Sequence, residues 1–280
     1  MKIKFTKMHG CGNDYIYINC FNHGFDDPEK LSMNLSDRRY GVGGDGMILI
    51  EPSEVACAKM RIFNKDGSEG KMCGNGIRCV AKYLYDSGIS KVKKGIKIET
   101  LSGVKTADIL MNDGEESVVK IDMGKAELNP QKIPMIFEKE KVINEPITVN
   151  SDSYNITCVS MGNPHCVIFC PEVYSAQVKE IGSKLSSHQI FPEGVNVEFV
   201  SKADNENLIM RVWERGSGET LACGSGACAS VVAAVENGLC EKNKDISVHL
   251  RGGKLIVNYS DEGVFLTGNA IKVFEGEIEV

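Results

Sequence analysis

The sequence predicts an α/β protein built from two related halves. The tetrapeptide Cys73-Gly74-Asn75-Gly76 returns 150 residues later as Cys223-Gly224-Ser225-Gly226, and each copy opens a segment with helical spacing. Other pairs share this offset: Gly12-Asn13 with Gly162-Asn163, Gly44 with Gly194, Met60-Arg61 with Met210-Arg211, and Gly88 with Gly238. A repeat of domain size indicates one duplicated α/β unit rather than a solenoid of short repeats.

Strand and helix patterns alternate along the first half. Strands are predicted at 2–8, 15–20, 47–50 and 58–64. Residues 28–39 have helical spacing, with Asp27 placed to cap the helix and Pro28 in its first turn. The first Cys-Gly motif then opens a second helix, which we expect to run to Asp86 and to end at Gly88.

The second half repeats this plan. A strand at 208–214 leads through a glycine turn to the second Cys-Gly motif and to a helix at 227–235 that carries almost no polar residue. Such a helix is buried on all sides, as it would be if the strands of its own domain wrapped around it. Residues 125–145 are rich in Lys, Glu and Pro, and we interpret them as an exposed linker. We therefore expect two domains, 1–125 and 126–280, with the C-terminal strand able to cross back to the first.

Composition excludes several classes of function. A formal net charge of −6 argues against a nucleic-acid-binding surface, which is usually basic. No apolar run approaches the roughly 18–20 residues that cross a bilayer, so we expect no membrane association. The N-terminal residues show no signal-peptide pattern, which favours a cytoplasmic protein. Eleven cysteines are an odd number, and without an export signal they do not indicate a disulfide framework.

The repeated cysteines, Cys73 and Cys223, are placed for acid–base chemistry. A thiol just before a helix lies beside backbone N–H groups and the positive end of the helix dipole, which can lower a cysteine pKa from ~8.5 to roughly 3.5–7.5. The neighbouring glycines leave backbone amides open to an anion such as a carboxylate. If two such sites held one amino-acid carboxylate, one sulfur could remove the α-proton while the other supplied a new one. The α-carbon would then be inverted.

Other functions for these cysteines fit less well. Zinc sites favour C-x₂₋₄-C pairs combined with a second pair or with histidine, whereas Cys73/Cys79 and Cys223/Cys228 have five and four residues between them. A redox dithiol usually has C-x-x-C spacing, which neither motif has. Burial as small apolar side chains remains an alternative, and it is our interpretation of Cys79 and Cys228. We expect no metal site and no cofactor.

Five motifs, in order along the chain, resemble diaminopimelate epimerase. They are Met8–Tyr15, Phe63–Glu69, Met72–Cys79, Met161–Cys166 and Glu214–Cys228. The resemblance implies a cofactor-independent isomerase that interconverts LL- and meso-diaminopimelate, on the route to lysine and cell-wall precursors. It also implies two pseudo-symmetric barrel-like α/β domains, each wrapping a central helix, with the active site in the cleft between them. Homodimers are usual in the family.

The resemblance also implies roles for individual residues. Cys73 and Cys223 are the two acid–base thiols. Residues that match the substrate-binding positions are Asn13, Asn64, Gly74, Asn75, Asn163, Asn196, Glu214, Arg215, Gly224 and Ser225. His165 and Glu214 match polar residues that support the reacting centre, and Glu214 suits an ammonium group. Arg215 suits a distal carboxylate. Gly46 departs from the pattern, since many relatives carry Gln there, and we expect no side-chain contact from it.

Three rival functions remain open. A proline racemase-like enzyme would also use two thiols, but such enzymes tend to carry His where Asn75 stands. A non-catalytic amino-acid-binding protein could keep the duplicated fold, although both thiols are present here. Pyridoxal phosphate chemistry would need a lysine in a recognisable context, and we find none. The predicted partner is therefore a small-molecule substrate, diaminopimelate, and the predicted assembly is a homodimer.

Overall fold

The structure, a computed structural model, describes residues 2–279 and divides into two compact units. Unit 1 contains the residues up to Asp122 together with those from Thr267 onward, and unit 2 is Met123–Leu266. Two strands, 116–124 and 264–279, carry the chain across the boundary. No helix among residues 2–279 is long and apolar enough to span a bilayer.

Within residues 2–279, unit 1 contains nine strands and two helices, counting the strands shared with unit 2. Its elements are β1 (Lys2–Gly10), β2 (Asn13–Asn19), α1 (Pro28–Ser36), β3 (Gly46–Glu51), β4 (Ala58–Asn64), β5 (Glu69–Gly70), α2 (Gly74–Asp86), β6 (Ile96–Thr100), β7 (Gly103–Asn112) and β8 (Glu116–Gly124), with β17 (Val264–Glu279) from the end of the chain. The sheet runs in the order β17, β1, β2, β3, β4, β6, β7 and β8. Because β8 also pairs with β17, the sheet closes into a barrel.

Unit 2 repeats this arrangement. Its elements are a 3₁₀ turn at Pro130–Lys132, β9 (Glu145–Val149), β10 (Asp152–Ser160), β11 (Pro164–Phe169), a 3₁₀ turn at Val173–Ser175, α3 (Val178–Ser186), β12 (Asn196–Lys202), β13 (Asn207–Glu214), β14 (Gly218–Glu219), α4 (Gly224–Glu236), β15 (Asp245–Leu250) and β16 (Gly253–Tyr259). The sheet order is β9, β10, β11, β12, β13, β15 and β16.

The duplication extends to strand direction and register. From β1 to β7 and from β10 to β16, successive pairs are antiparallel, parallel, antiparallel, parallel and antiparallel. In the first parallel pair of each unit, Tyr15 lies opposite Gly46 and His165 lies opposite Asn196. Both residues of the second pair lie 150 positions after those of the first. The predicted α/β fold of two pseudo-symmetric, barrel-like parts is confirmed.

Each unit wraps its sheet around one helix. In unit 1, α2 packs against β1, β2, β4, β6 and β7; in unit 2, α4 packs against β10, β11, β12, β13, β15 and β16. The Ala- and Val-rich α4 is buried along almost its whole length, which confirms the prediction from its lack of polar residues. Helices α1 and α3 each pack against strands of their own unit. In each unit, the strands therefore surround the helix that begins at the cysteine motif.

The structure corrects two local predictions. Helix α1 ends at Ser36 instead of Arg39, because Asp37 is extended and its carboxylate accepts the N–H groups of Arg39 and Tyr40 at 2.7 and 2.8 Å. The segment 125–145 is only partly exposed. Ile133 and Val142 are fully buried in the core of unit 2, because apolar residues between its charged ones face inward.

Candidate active site

Cys73 lies directly before the first turn of α2, as the sequence predicts. Its extended backbone makes it the N-cap residue, and the N–H of Gly76 points at Sγ at 3.3 Å. Sγ also lies 3.3 Å from Oδ1 of Asn13, which starts β2. Asn75, in the same helical turn, donates its side-chain amide to that oxygen at 3.3 Å. Unit 1 therefore brings three predicted site residues together around one sulfur.

Two residues outside the predicted set hold this cluster in place. Asp45 accepts the side-chain amide of Asn13 at 2.8 Å. The fully buried Arg78, one turn into α2, donates to Oδ1 of Asn75 and to the carbonyl of Gly74, each at 2.9 Å. Its Nε also lies 3.3 Å from the carbonyl of Asn269 in β17. Arg78 thereby ties the first turn of α2 to the barrel wall.

Cys223 occupies the equivalent position at the start of α4. It is the N-cap residue, the N–H of Gly226 lies 3.4 Å from Sγ, and the hydroxyl of Ser225 lies 3.6 Å from it. Asn163 donates its side-chain amide to that hydroxyl at 3.3 Å. The equivalent residues of unit 1, Asn13 and Asn75, are also hydrogen-bonded, with Asn75 as the donor. The equivalent pairs, 13 with 75 and 163 with 225, again differ by the 150-residue offset.

The electrostatics of Cys223 differ from the sequence-based expectation. Burial is the main cause that raises the pKa of the Cys223 thiol well above its ordinary value, and the carboxylates of Glu214 and Glu198 raise it further. Hydrogen bonds from Ser225 and from the N–H of Gly226 lower the pKa, but they do not outweigh these effects. The helix N-terminus, which can lower a thiol pKa, does not set the direction for Cys223, because the thiol is enclosed beside two acidic side chains.

Glu214, at the end of β13, is the acidic group that contacts this thiol. Burial raises the pKa of its carboxyl group, and the neighbouring Glu198 adds to that effect, whereas hydrogen bonds from Thr220 and Cys223 oppose it. The hydroxyl of Thr220 donates to Oε1 of the carboxylate. A positively charged group placed here would be attracted by the carboxylate and would offset its effect on the sulfur.

His165 and Asn163 extend the cluster in unit 2. The His165 ring is fully buried, and its Nε2 lies 3.1 Å from Oδ1 of Asn163. Its Nδ1 lies 2.7 Å from Oε1 of Glu198, a residue that the sequence analysis did not single out. The structure thus links Cys223, Ser225, Asn163 and His165 through adjacent contacts.

The remaining predicted site residues form local hydrogen bonds. Asn196 accepts the backbone N–H of Arg215 at 2.8 Å, and the Arg215 guanidinium donates to the carbonyl of Glu193 at 2.5 Å. Asn64, at the end of β4, donates to the hydroxyl of Ser68 at 3.0 Å. Arg215 and Asn196 thus lie together, while Asn64 is held by its own turn. Gly74 and Gly224 are the first residues of α2 and α4.

The backbone at Gly46 leaves no room for a side chain. A Cβ atom at this position would lie 2.1 Å from the carbonyl oxygen of Phe63 and 3.1 Å from Cα of Asn64. Real atoms do not approach a backbone oxygen so closely, so a glutamine here would require the strand to shift. This geometry agrees with the expectation that position 46 contributes no side-chain contact.

Comparison with known proteins identifies the family. A sequence model described as diaminopimelate epimerase matches residues 5–129 and 157–273. The chain is 48% identical over 280 residues to a diaminopimelate epimerase from Acetivibrio thermocellus, with 99% of each chain covered. It is 50% identical over 279 residues to a diaminopimelate epimerase from Geobacillus sp. strain WCH70, with 98% of each covered.

Solved structures show the same fold at low sequence identity. A hydroxyproline epimerase from Agrobacterium vitis aligns with a TM-score of 0.73 and 15% identity, covering 99% of this chain and 92% of that one. A phenazine biosynthesis protein of the PhzF family from Bacillus anthracis aligns with a TM-score of 0.71 and 16% identity over all of both chains. At this identity the likeness supports the two-part barrel fold alone.

Proposed function

The chain belongs to the diaminopimelate epimerase family, and we propose that it inverts its substrate with Cys73 and Cys223 as the two proton-transfer groups. It is an isomerase that epimerises diaminopimelate in lysine biosynthesis. The observation that carries the proposed mechanism is the equivalent placement of the two thiols. Each is the N-cap residue of the central helix of its unit, with a backbone N–H directed at sulfur.

The first turns of α2 and α4 supply the carboxylate site. In each helix the first four N–H groups lack partners from the helix itself, and the positive end of the dipole attracts an anion. Gly74-Asn75 and Gly224-Ser225 place backbone N–H groups in these first turns, beside the thiols. When the α-proton leaves, negative charge spreads onto the substrate carboxylate, and amides already aimed at it stabilise that charge. No metal or organic cofactor is needed in this scheme.

Proton transfer requires one thiolate and one thiol. The raised pKa of Cys223 keeps a proton on its sulfur, which suits the direction in which Cys223 donates to the carbanion. In the reverse direction Cys223 must lose that proton. A substrate ammonium beside Glu214 would offset the negative charge that disfavours this loss. We therefore assign Glu214 to the ammonium group and His165 to the support of the reacting centre.

The distal end of the substrate is assigned to Arg215, Asn196 and Asn64. Arg215 carries a fixed positive charge, and its guanidinium is held against the carbonyl of Glu193. A planar guanidinium matches a carboxylate with two parallel hydrogen bonds. Diaminopimelate has an amino-acid group at each end, so a second carboxylate would be available for this contact. Asn13 contacts Cys73 and Asn75, Asn163 contacts Ser225, and both asparagines complete the proposed substrate site.

Several wider features are part of the same proposal. The two halves, 1–125 and 126–280, would each supply one thiol to a common cleft. The enzyme would act as a cytoplasmic homodimer, without nucleic-acid or membrane partners. A cyclic amino acid is the rival substrate, because a hydroxyproline epimerase has a similar fold. At this low identity the likeness extends to the fold alone.

Deuterium incorporation tests the proposed function. Incubated with LL-diaminopimelate in D₂O, the purified protein is expected to form meso-diaminopimelate that carries one deuterium at the inverted carbon. The reason is that the thiol that delivers the new proton has first exchanged its S–H proton for solvent deuterium. Mass spectrometry and chiral chromatography measure both changes. Proline and trans-4-hydroxyproline serve as control substrates, and inversion of either in preference to diaminopimelate would contradict the proposal.

A further inference from the structure

Glu198 is a buried carboxylate that the mechanism above does not use. It lies on β12, its side chain is fully buried, and Oε1 is 2.7 Å from Nδ1 of His165. Its second oxygen, Oε2, is also buried and has no hydrogen-bond partner among the described residues. Burying a carboxyl group with one oxygen unpaired costs free energy. A purely structural role therefore does not explain why glutamate stands at this position.

The carboxylate lies against the first turn of α4. A Cβ atom at Gly226 would lie 2.6 Å from Oε1 of Glu198 and 3.3 Å from Sγ of Cys223. Glycine at this position therefore allows the carboxylate to lie close to the turn that carries the thiol. Glu198 also raises the pKa values of Cys223, Glu214 and Cys166 on β11.

The equivalent position in unit 1 is apolar. Ile48 precedes Glu198 by the 150-residue offset and lies opposite Tyr17 on β2, while Glu198 lies opposite Val167 on β11. A Cβ atom at Gly76 would lie 2.7 Å from Cδ1 of Ile48, matching the 2.6 Å between a Cβ at Gly226 and Glu198. At this position the two equivalent sites differ, because a methyl group lies beside one thiol turn and a carboxylate beside the other.

We propose that Glu198 is a positioning residue that holds the His165 ring and makes the two thiol sites chemically unequal. The inference rests on the proposed function, because it assumes that Cys223 transfers a proton. The carboxylate accepts the Nδ1–H of His165 and so directs Nε2 towards Asn163, which contacts Ser225 beside the thiol. Its negative charge also disfavours loss of the Cys223 proton.

The charged and titratable groups around Cys223 come from three strands. Glu214 on β13 and Glu198 on β12 both raise the pKa of the Cys223 thiol. His165 on β11 lowers the pKa of the Glu214 carboxyl group, whereas Glu198 raises it. An ammonium group beside Glu214 would offset one of the two negative charges, and the charge of Glu198 would remain. Glu198 therefore biases Cys223 towards the acid role even when substrate is bound.

The test compares Glu198→Gln with wild-type protein and with Glu180→Gln, which removes an exposed carboxylate from α3 of the same unit. Iodoacetamide alkylation is followed by peptide mass mapping over a range of pH values, which gives a midpoint for Cys223 that does not depend on turnover. In the wild-type protein we expect the Cys223 midpoint to lie above the Cys73 midpoint. Glu198→Gln moves the Cys223 midpoint to lower pH and leaves the Cys73 midpoint unchanged.

Turnover provides the second measurement. The amide oxygen of glutamine can still accept the Nδ1–H of His165, but a neutral hydrogen bond holds the ring less firmly than a charge-assisted one. A misplacement of about 1 Å beside the reacting carbon can cost roughly 10²-fold in rate. We expect kcat of Glu198→Gln to fall by roughly tenfold or more in both directions, with little change in KM. Glu198→Asp keeps the charge but shortens the side chain, so it should retain a high alkylation midpoint while losing turnover.

Failure of this inference differs from failure of the proposed function. If wild-type protein epimerises diaminopimelate but its two thiols share one alkylation midpoint, the inequality proposed here is wrong. The same conclusion follows if Glu198→Gln has the wild-type midpoint and the wild-type kcat. If wild-type protein does not epimerise diaminopimelate at all, the proposed function itself fails.

Discussion

Replacing either Cys73 or Cys223 by serine is expected to abolish epimerisation while leaving substrate binding largely intact. A serine hydroxyl is nearly the size of a thiol, but it is far too weak an acid to supply a base at neutral pH. General acid–base catalysis by one group contributes typically 10²–10⁴-fold, and inversion requires both groups. The first-turn amides of α2 and α4 and the Arg215 guanidinium remain in each variant. Epimerase assays and isothermal titration calorimetry with LL-diaminopimelate measure the two properties separately.

Cys170→Ser is the matched control for both variants. Cys170 follows β11, is half-buried, and has its Sγ 3.7 Å from the carbonyl of Val200. Its loss should change neither activity nor binding. A Cys73 or Cys223 variant that kept more than a small fraction of wild-type activity would show that the altered sulfur is not a proton-transfer group.

Arg78→Met is expected to have the largest effect on stability. Arg78 is fully buried, and its guanidinium donates to Gly74, Asn75 and Asn269. Methionine would leave three acceptors without this donor, at about 1–3 kcal/mol for each buried unsatisfied group. Removing a buried cation offsets part of that loss. We therefore expect the free energy of unfolding to fall by about 3 kcal/mol, with a clear loss of activity because Asn75 is released beside Cys73.

Urea denaturation monitored by circular dichroism measures the change in stability. Arg39→Met is the control, since Arg39 is exposed just beyond α1 and its substitution should be neutral. An Arg78→Met protein with wild-type stability and activity would show that the contacts of the guanidinium do not hold the first turn of α2.

The regular elements near the motifs could be predicted because their signals are local. Strand β4 has the predicted bounds, and α2 begins and ends where the cysteine motif and Gly88 indicate. The end of α1 was missed because the Asp37 side chain competes with the helix for backbone N–H groups, and nothing in the helical spacing shows this. Burial of Ile133 and Val142 was missed because average composition hides single apolar residues that pack inward.

Part of the candidate site could be proposed from the sequence because its signals, too, are visible in the sequence itself. Repetition at a fixed offset identified Cys73, Cys223, Asn13 and Asn163, because duplicated residues mark positions that both halves share. Glu198 has no such counterpart, since Ile48 stands at the equivalent position. A carboxylate within the apolar strand at 195–200 is the signal that could have found it. The raised pKa of Cys223 depends on tertiary burial and could not be predicted from a helix N-terminus alone.

The most direct test of the two-thiol mechanism is a crystal structure with an unreactive diaminopimelate analogue bound. Proton transfer to and from one carbon predicts that Sγ of Cys73 and Sγ of Cys223 both lie within near-attack distance of the α-carbon, roughly 3–3.5 Å, on opposite faces. The analogue carboxylate should accept N–H groups from the first turns of α2 and α4. The mechanism would be contradicted if both sulfurs lay on the same face of the α-carbon, or if either sulfur lay out of reach of it.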